Sequence, residues 1–244
     1  MSGNVFFLEP KAPFRLDLTV WTLRRRSENR VDRWDGQTYR RVLNLPTGLV
    51  EVAVTQIAPS ETPRLKVLVE GQPLNPHVKT TVTTELERLL GLRVDLSGFY
   101  KLAAHESQLE QLASRFRGMK PPRFETVFET IVVGIASQQV SLTVGLLILN
   151  RLVEKFGANF GNNGASVHAF PRPEDLAGLD PADFRFLGYS HRKAQTIIEI
   201  ANAVTDGSLD LEALAELEDQ AAIERLCELR GIGRWTAEYV LLRE

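Results

Sequence analysis

Trp235 and Tyr239 stand four residues apart, just after Gly231-Ile232-Gly233, and this short stretch holds the residue types best suited to chemistry. At that spacing on a helix the two rings share one face. Flat, electron-rich rings can stack on a base swung out of a duplex, and they attract one made cationic, with tryptophan the best partner. The glycines, one residue apart, let the backbone take positive φ or approach another backbone closely. A helix beginning at Arg234-Trp235-Thr236 opens with unpaired N–H groups and partial positive charge, which makes a seat for a phosphate. Preceded by the apolar helix end Leu226 and Leu229, the pattern reads as a helix-hairpin-helix. An ordinary bend between helices, with aromatics turned to the core, is the alternative that spacing alone leaves open. On the hairpin reading, Gly231, Gly233, Arg234 and Thr236 are candidate DNA contacts, and Trp235 and Tyr239 form a base pocket.

Basic residues recur in runs free of acids. Arg115, Arg117, Lys120 and Arg123 form one, Arg185, Arg192 and Lys193 another, and Arg230 and Arg234 bracket the hairpin glycines. Arg192 and Lys193 join the hairpin residues as candidate phosphate contacts, while Arg24-Arg25-Arg26 reads as a solvated strand end. Each phosphate neutralised would contribute about 0.9 to the salt dependence of binding on a log–log scale.

These residues need a scaffold, and the chain supplies an α+β one. Phe14 to Trp21 alternates apolar and polar residues and predicts a half-buried strand. Asp35-Gly36 supplies a hairpin turn into Tyr39–Leu45, with further strands expected over Leu49–Ile57 and Leu65–Val69. Asn75-Pro76 opens a covering helix that runs to Leu90 and stops at Gly91. We therefore expect a small curved antiparallel sheet with a covering helix over residues 1–93. An all-α domain should follow over 94–244, its joins marked by Pro121-Pro122, Pro171-Arg172-Pro173 and Asp180-Pro181. Gly161-Asn162-Asn163-Gly164 reads as a surface loop.

The 244 residues, 43% hydrophobic and 25% charged, suffice for two modest cores. The single Cys227 excludes an internal disulfide framework, a four-cysteine zinc site and a four-cysteine iron–sulfur cluster within this sequence. The four histidines show no ligand spacing. A formal net charge of −2 gives no global attraction to DNA, so binding must rest on local basic patches. No stretch approaches the ~18 apolar residues of a membrane span, and no export signal is visible, so a cytoplasmic protein is expected.

The chain resembles the 3-methyladenine (alkylpurine) DNA glycosylases of the helix-hairpin-helix superfamily. The resemblance rests on GIGRWTAEY at 231–239, on FETVFETIVVGIASQQVSLTVG at 124–145, on DFRFLGYSHRKAQTIIEIANAV at 183–204 and on FRLDLTVWTLRRR near the start. It implies a repair enzyme whose partner is double-stranded DNA with a flipped alkylated base, monomeric when intact. By position it implies that Gln139 enters the minor groove where the family's wedge does, although wedges are usually apolar. Relatives that also cut the strand carry a lysine where this chain has Trp235, so the resemblance implies a monofunctional enzyme. It also implies a monovalent cation, Na+ or K+, on the backbone carbonyls of Cys227, Leu229 and Ile232, with no cofactor for the chemistry itself. In the family an aspartate follows the hairpin's second helix. Here the sequence reaches Glu244 within or at the end of that helix, so the catalytic carboxylate is expected beyond Glu244, and these 244 residues alone are expected to be inactive. The other expectation is a module that binds damaged DNA without cutting it.

Overall fold

The computed structural model describes residues 4–161 and 166–243, which fall into two compact units. Of the surface loop expected at 161–164, positions 162–164 lie outside the described residues, as does 165.

The first unit comprises Met1–Ser27 and Asp32–Arg123. Its strands are β1 (Val5–Leu8), β2 (Arg33–Trp34), β3 (Thr38–Leu45), β4 (Gly48–Gln56) and β5 (Leu65–Glu70), in the antiparallel order β1-β5-β4-β3-β2. The Asp35 carboxylate accepts the N–H groups of Gln37 and Thr38 and closes the turn between β2 and β3. Val50, Val52 and Val54 of β4 and Leu65, Val67 and Val69 of β5 are buried.

The expected strand over Phe14–Trp21 is instead a helix, α1 (Leu16–Arg24). Leu16, Leu18 and Val20 alternate, but the buried set is Leu16, Thr19, Val20 and Leu23, the i, i+3, i+4, i+7 stripe of a helix. Thr19 belongs to that stripe because its hydroxyl donates to the Arg15 carbonyl at 2.9 Å and accepts the Lys120 N–H at 3.1 Å. Val5–Leu8, an apolar run with no expectation attached, takes the edge position of the sheet.

The helix α2 (Pro76–Leu89) opens as expected on Asn75, whose side chain accepts the Val78 N–H at 2.9 Å. Two short helices follow, α3 (Ser97–Ala103) and α4 (Ser107–Arg115). They belong to the first unit, so the division falls at 123 rather than 93. Helical composition suggested the earlier boundary, but the bonds of this segment run backwards: Arg123 N–H to the Leu89 carbonyl, Lys120 Nζ to the Val94 carbonyl.

The second unit comprises Glu28–Val31 and Phe124–Glu244. The short early segment joins it because Asn150 grips it at both ends, donating to the Glu28 carbonyl at 2.7 Å and accepting the Arg30 N–H at 3.2 Å. At its centre lies α5 (Val127–Ser137), buried on every face from Val127 to Ala136, the polar Glu129 and Thr130 included. Around it come α6 (Leu142–Phe156), the two-stranded ribbon β6 (Asn159–Phe160) and β7 (Val167–His168), and α7 (Pro173–Leu176). Then follow α8 (His191–Thr205), α9 (Asp219–Cys227) and α10 (Arg234–Arg243), with 3-10 turns at Pro181–Leu187 and Glu212–Glu216. Among the described residues no helix is long and apolar enough to cross a membrane.

Candidate nucleic-acid interface

The two hairpin glycines do different work. Gly231 has φ +83°, and a Cβ there would lie 2.4 Å from Thr196 Oγ1 of α8. Only glycine lets the turn adopt that φ and close against α8. Gly233 has no atom within 4 Å of where a Cβ would stand, so its backbone faces open space. Its carbonyl accepts the N–H groups of Thr236 at 2.9 Å and Ala237 at 3.0 Å, which starts the ladder of α10. The amides of Arg234 and Trp235 precede that ladder and sit beside the open glycine, where the helix dipole is positive. Unpaired amides at a helix start are a backbone arrangement that can accept an anion.

The other face of α10 is tied to the core. Thr236, Ala237 and Val240 are buried, and α5 passes so close that a Cβ on Gly134 would meet Thr236 Cγ2 at 3.1 Å and the Tyr239 ring at 3.4 Å. Tyr239 is therefore held half-buried, while Trp235 is 58% exposed. Their rings lie 12° from parallel with centres 5.8 Å apart. The pair presents one open aromatic face backed by one anchored ring, which a purely core pair would not do.

Two polar side chains lock this arrangement. Gln138 Nε2 donates to the Gly231 carbonyl at 3.2 Å and to Thr236 Oγ1 at 3.0 Å, joining the turn after α5 to the hairpin. Lys193 Nζ donates to the carbonyls of Ala136 at 3.1 Å and Gln138 at 2.8 Å, capping the C-terminal end of α5. Its partial burial pushes its pKa down. Lys193 and Thr236 thus direct their polar atoms inward, to the carbonyls and to Gln138, and their place in the site is structural support.

Between these locks Gln139 projects into solvent with φ +53°, a left-handed conformation that a residue with a Cβ adopts at a cost. Its neighbours Val140 and Leu142 are also largely exposed. The turn after α5, the start of α8 and the start of α10 together enclose a concavity of about 500 Å³. Gln138, Gln139, Ser190, Arg192, Gly233 and Trp235 are among the residues lining it. Ser190 caps α8 by accepting the Lys193 N–H at 3.3 Å, and Arg192 is exposed on the first turn. Arg234 pairs with Glu238 at 2.7 Å, and Arg230 pairs with Glu199 at 3.3 Å. Cys227 is exposed, and the Leu229 carbonyl accepts the Ile232 N–H at 3.0 Å, which leaves it a second lone pair.

The family model described as HhH-GPD superfamily base excision DNA repair protein matches residues 132–241. The DNA-3-methyladenine glycosylase 1 of Schizosaccharomyces pombe is 30% identical over 170 residues, covering 69% of this chain and 68% of that protein. The chain belongs to the HhH-GPD superfamily. The DNA-3-methyladenine glycosylase of Bacillus subtilis is 30% identical over 179 residues, 73% of this chain, and the match spans 59% of that protein's length. Among solved structures, a 3-methyladenine DNA-glycosylase from Archaeoglobus fulgidus superposes with a TM-score of 0.81 at 28% identity, covering 97% of this chain and 78% of that one.

Within the HhH-GPD match, the sequence pointed to the hairpin, the aromatic pair and the turn at Gln139. It did not point to Gln138 or Gly134. The signal for Gly134 was present as a glycine inside the apolar run Ile131–Ala136, which implies close approach of another element. Nothing local distinguishes Gln138 from Gln139.

Proposed function

We propose that the protein is a monofunctional DNA glycosylase of base excision repair that extrudes and excises alkylated purines of the 3-methyladenine type. The observation that carries this reading is the open Gly233 backbone at the start of α10, two residues from the exposed Trp235 ring stacked on Tyr239. A phosphate seat and a π-face at that spacing suit a nucleotide swung out of a duplex. An alkylated purine is cationic, so aromatic walls favour it over its neutral parent, and its positive charge makes it a good leaving group. In this reading Gln139, exposed on a turn with φ +53°, enters the duplex. Its amide can bond the partner base that extrusion leaves behind. A Na+ or K+ ion on the carbonyls of Cys227, Leu229 and Ile232 would add positive charge beside the phosphate. Neutral backbone oxygens are a donor set suited to such an ion.

A second reading, a module that binds damaged DNA without cutting it, is favoured by one observation. Among the described residues no carboxylate lines the concavity, and Glu238 on α10 is engaged by Arg234. One assay separates the readings. The whole gene product is incubated with methylated duplex, and the strand is examined before and after alkali. Abasic sites that break only with alkali are the expected result. Direct nicks would overturn the monofunctional assignment, and tight binding with no abasic sites would establish the second reading.

A further inference from the structure

The first unit carries an aromatic and arginine-lined groove that the hairpin reading does not use. Trp21, on the outer face of α1, is 59% exposed. Its ring lies 4° from parallel to Phe116, with centres 6.2 Å apart, and the Arg115 guanidinium sits 5.7 Å from the Phe116 centre. The turn that ends α1 brings Arg24, Arg25 and Arg26 to the same groove, which has a volume of about 700 Å³. That turn is set rather than loose. Arg24 donates to the Arg26 carbonyl at 3.0 Å and the Trp34 carbonyl at 3.2 Å, and Arg25 takes φ +63°. The acid in the lining, Asp17, is engaged by Arg15 at 2.5 Å, so the groove's field is positive.

We propose that this groove binds single-stranded nucleic acid, one base stacking on the Trp21–Phe116 platform while the exposed Arg26 and Arg115 hold its flanking phosphates. A solvent-exposed tryptophan parallel to a second ring has no role in the core of its unit, and stacked bases are what such platforms accept without regard to sequence. Arginines contributed by two segments of the lining match a repeating phosphate backbone better than an isolated anion. The site lies wholly in the first unit and does not depend on the hairpin or on base excision.

The test is fluorescence anisotropy of a labelled ten-nucleotide oligothymidylate titrated with the chain at low salt. Trp21→Ala should weaken binding about tenfold, and Arg115→Glu should weaken it and lower the log–log salt slope by roughly 0.7. Gly233→Asp should leave oligothymidylate binding unchanged while it reduces duplex binding. Both Trp21 and Arg115 are exposed, and α4 buries none of its residues, so circular dichroism should be native for each variant. Unchanged affinity in both Trp21→Ala and Arg115→Glu would overturn the proposal. Loss of oligothymidylate binding in Gly233→Asp would assign that binding to the hairpin and overturn it too. Polyglutamate binding as tightly as oligothymidylate would show a charge-only surface and reject the nucleic-acid assignment.

Discussion

Gly231 and Gly233 look equivalent in the sequence and are opposite in the structure, so their substitutions should separate folding from binding. Gly231→Ala would place a methyl 2.4 Å from Thr196 Oγ1 at a residue with φ +83°. It should destabilise the protein by more than ~1 kcal/mol, read as a lowered denaturant midpoint. Gly233→Asp meets no steric obstacle. It should keep the midpoint within ~0.5 kcal/mol of the parent, because only the anion seat changes. Duplex affinity should fall, since a carboxylate then faces the phosphate. An unchanged dissociation constant in Gly233→Asp would count against the seat. Which glycine does which job was not legible in the G-x-G spacing. It depends on Thr196, which a linear reading does not bring near.

At the scale of elements, the hairpin is held by side chains from another turn. Gln138→Ala removes both bonds from its amide to Gly231 and Thr236, leaving a buried hydroxyl and a carbonyl without that donor. The expected loss is roughly 1–3 kcal/mol, with faster amide exchange at residues 231–236 and weaker duplex binding. Exchange unchanged at those amides would show that the clamp is not needed. If the hairpin carbonyls hold a cation, replacing Na+ and K+ with tetramethylammonium at constant ionic strength should weaken duplex binding. Equal affinity in both salts would dismiss the ion.

Elements with a strong local signal were legible: Asp35-Gly36 for a β turn, Asn75-Pro76 for the start of α2, and the hairpin itself. The failure at Phe14–Trp21 has a physical origin. Over so few residues, Leu16 and Val20 satisfy both period 2 and period 3.6. Thr19 decides for the helix, and it is buried only because Arg15 and Lys120 satisfy its hydroxyl. The helix α4 carries Leu109 and Leu112 three residues apart yet buries none of its residues.

For the whole molecule, the net charge of −2 and the ion pairs at Arg230 and Arg234 leave duplex attraction to a few local groups. Arg192→Gln should therefore reduce the log–log salt slope of duplex binding by about 0.9, and a slope that does not move would remove Arg192 from the contact. The two-part organisation was legible from composition, but its boundary was not. Residues 28–31 join the second unit through Asn150, and 94–123 fold back on the first, both by contacts distant in sequence. In the proposed function the hairpin grips the backbone while Trp235 and Tyr239 hold an extruded alkylated base. This is tested most directly by single-turnover release of methylated purine by the whole gene product in excess over methylated duplex, parent against Trp235→Ala. Release by the parent is expected, with a slowing in the variant worth roughly 1–3 kcal/mol of lost stacking and affinity for undamaged duplex nearly unchanged. Equal release rates in the two proteins, or no release by the parent, would contradict it.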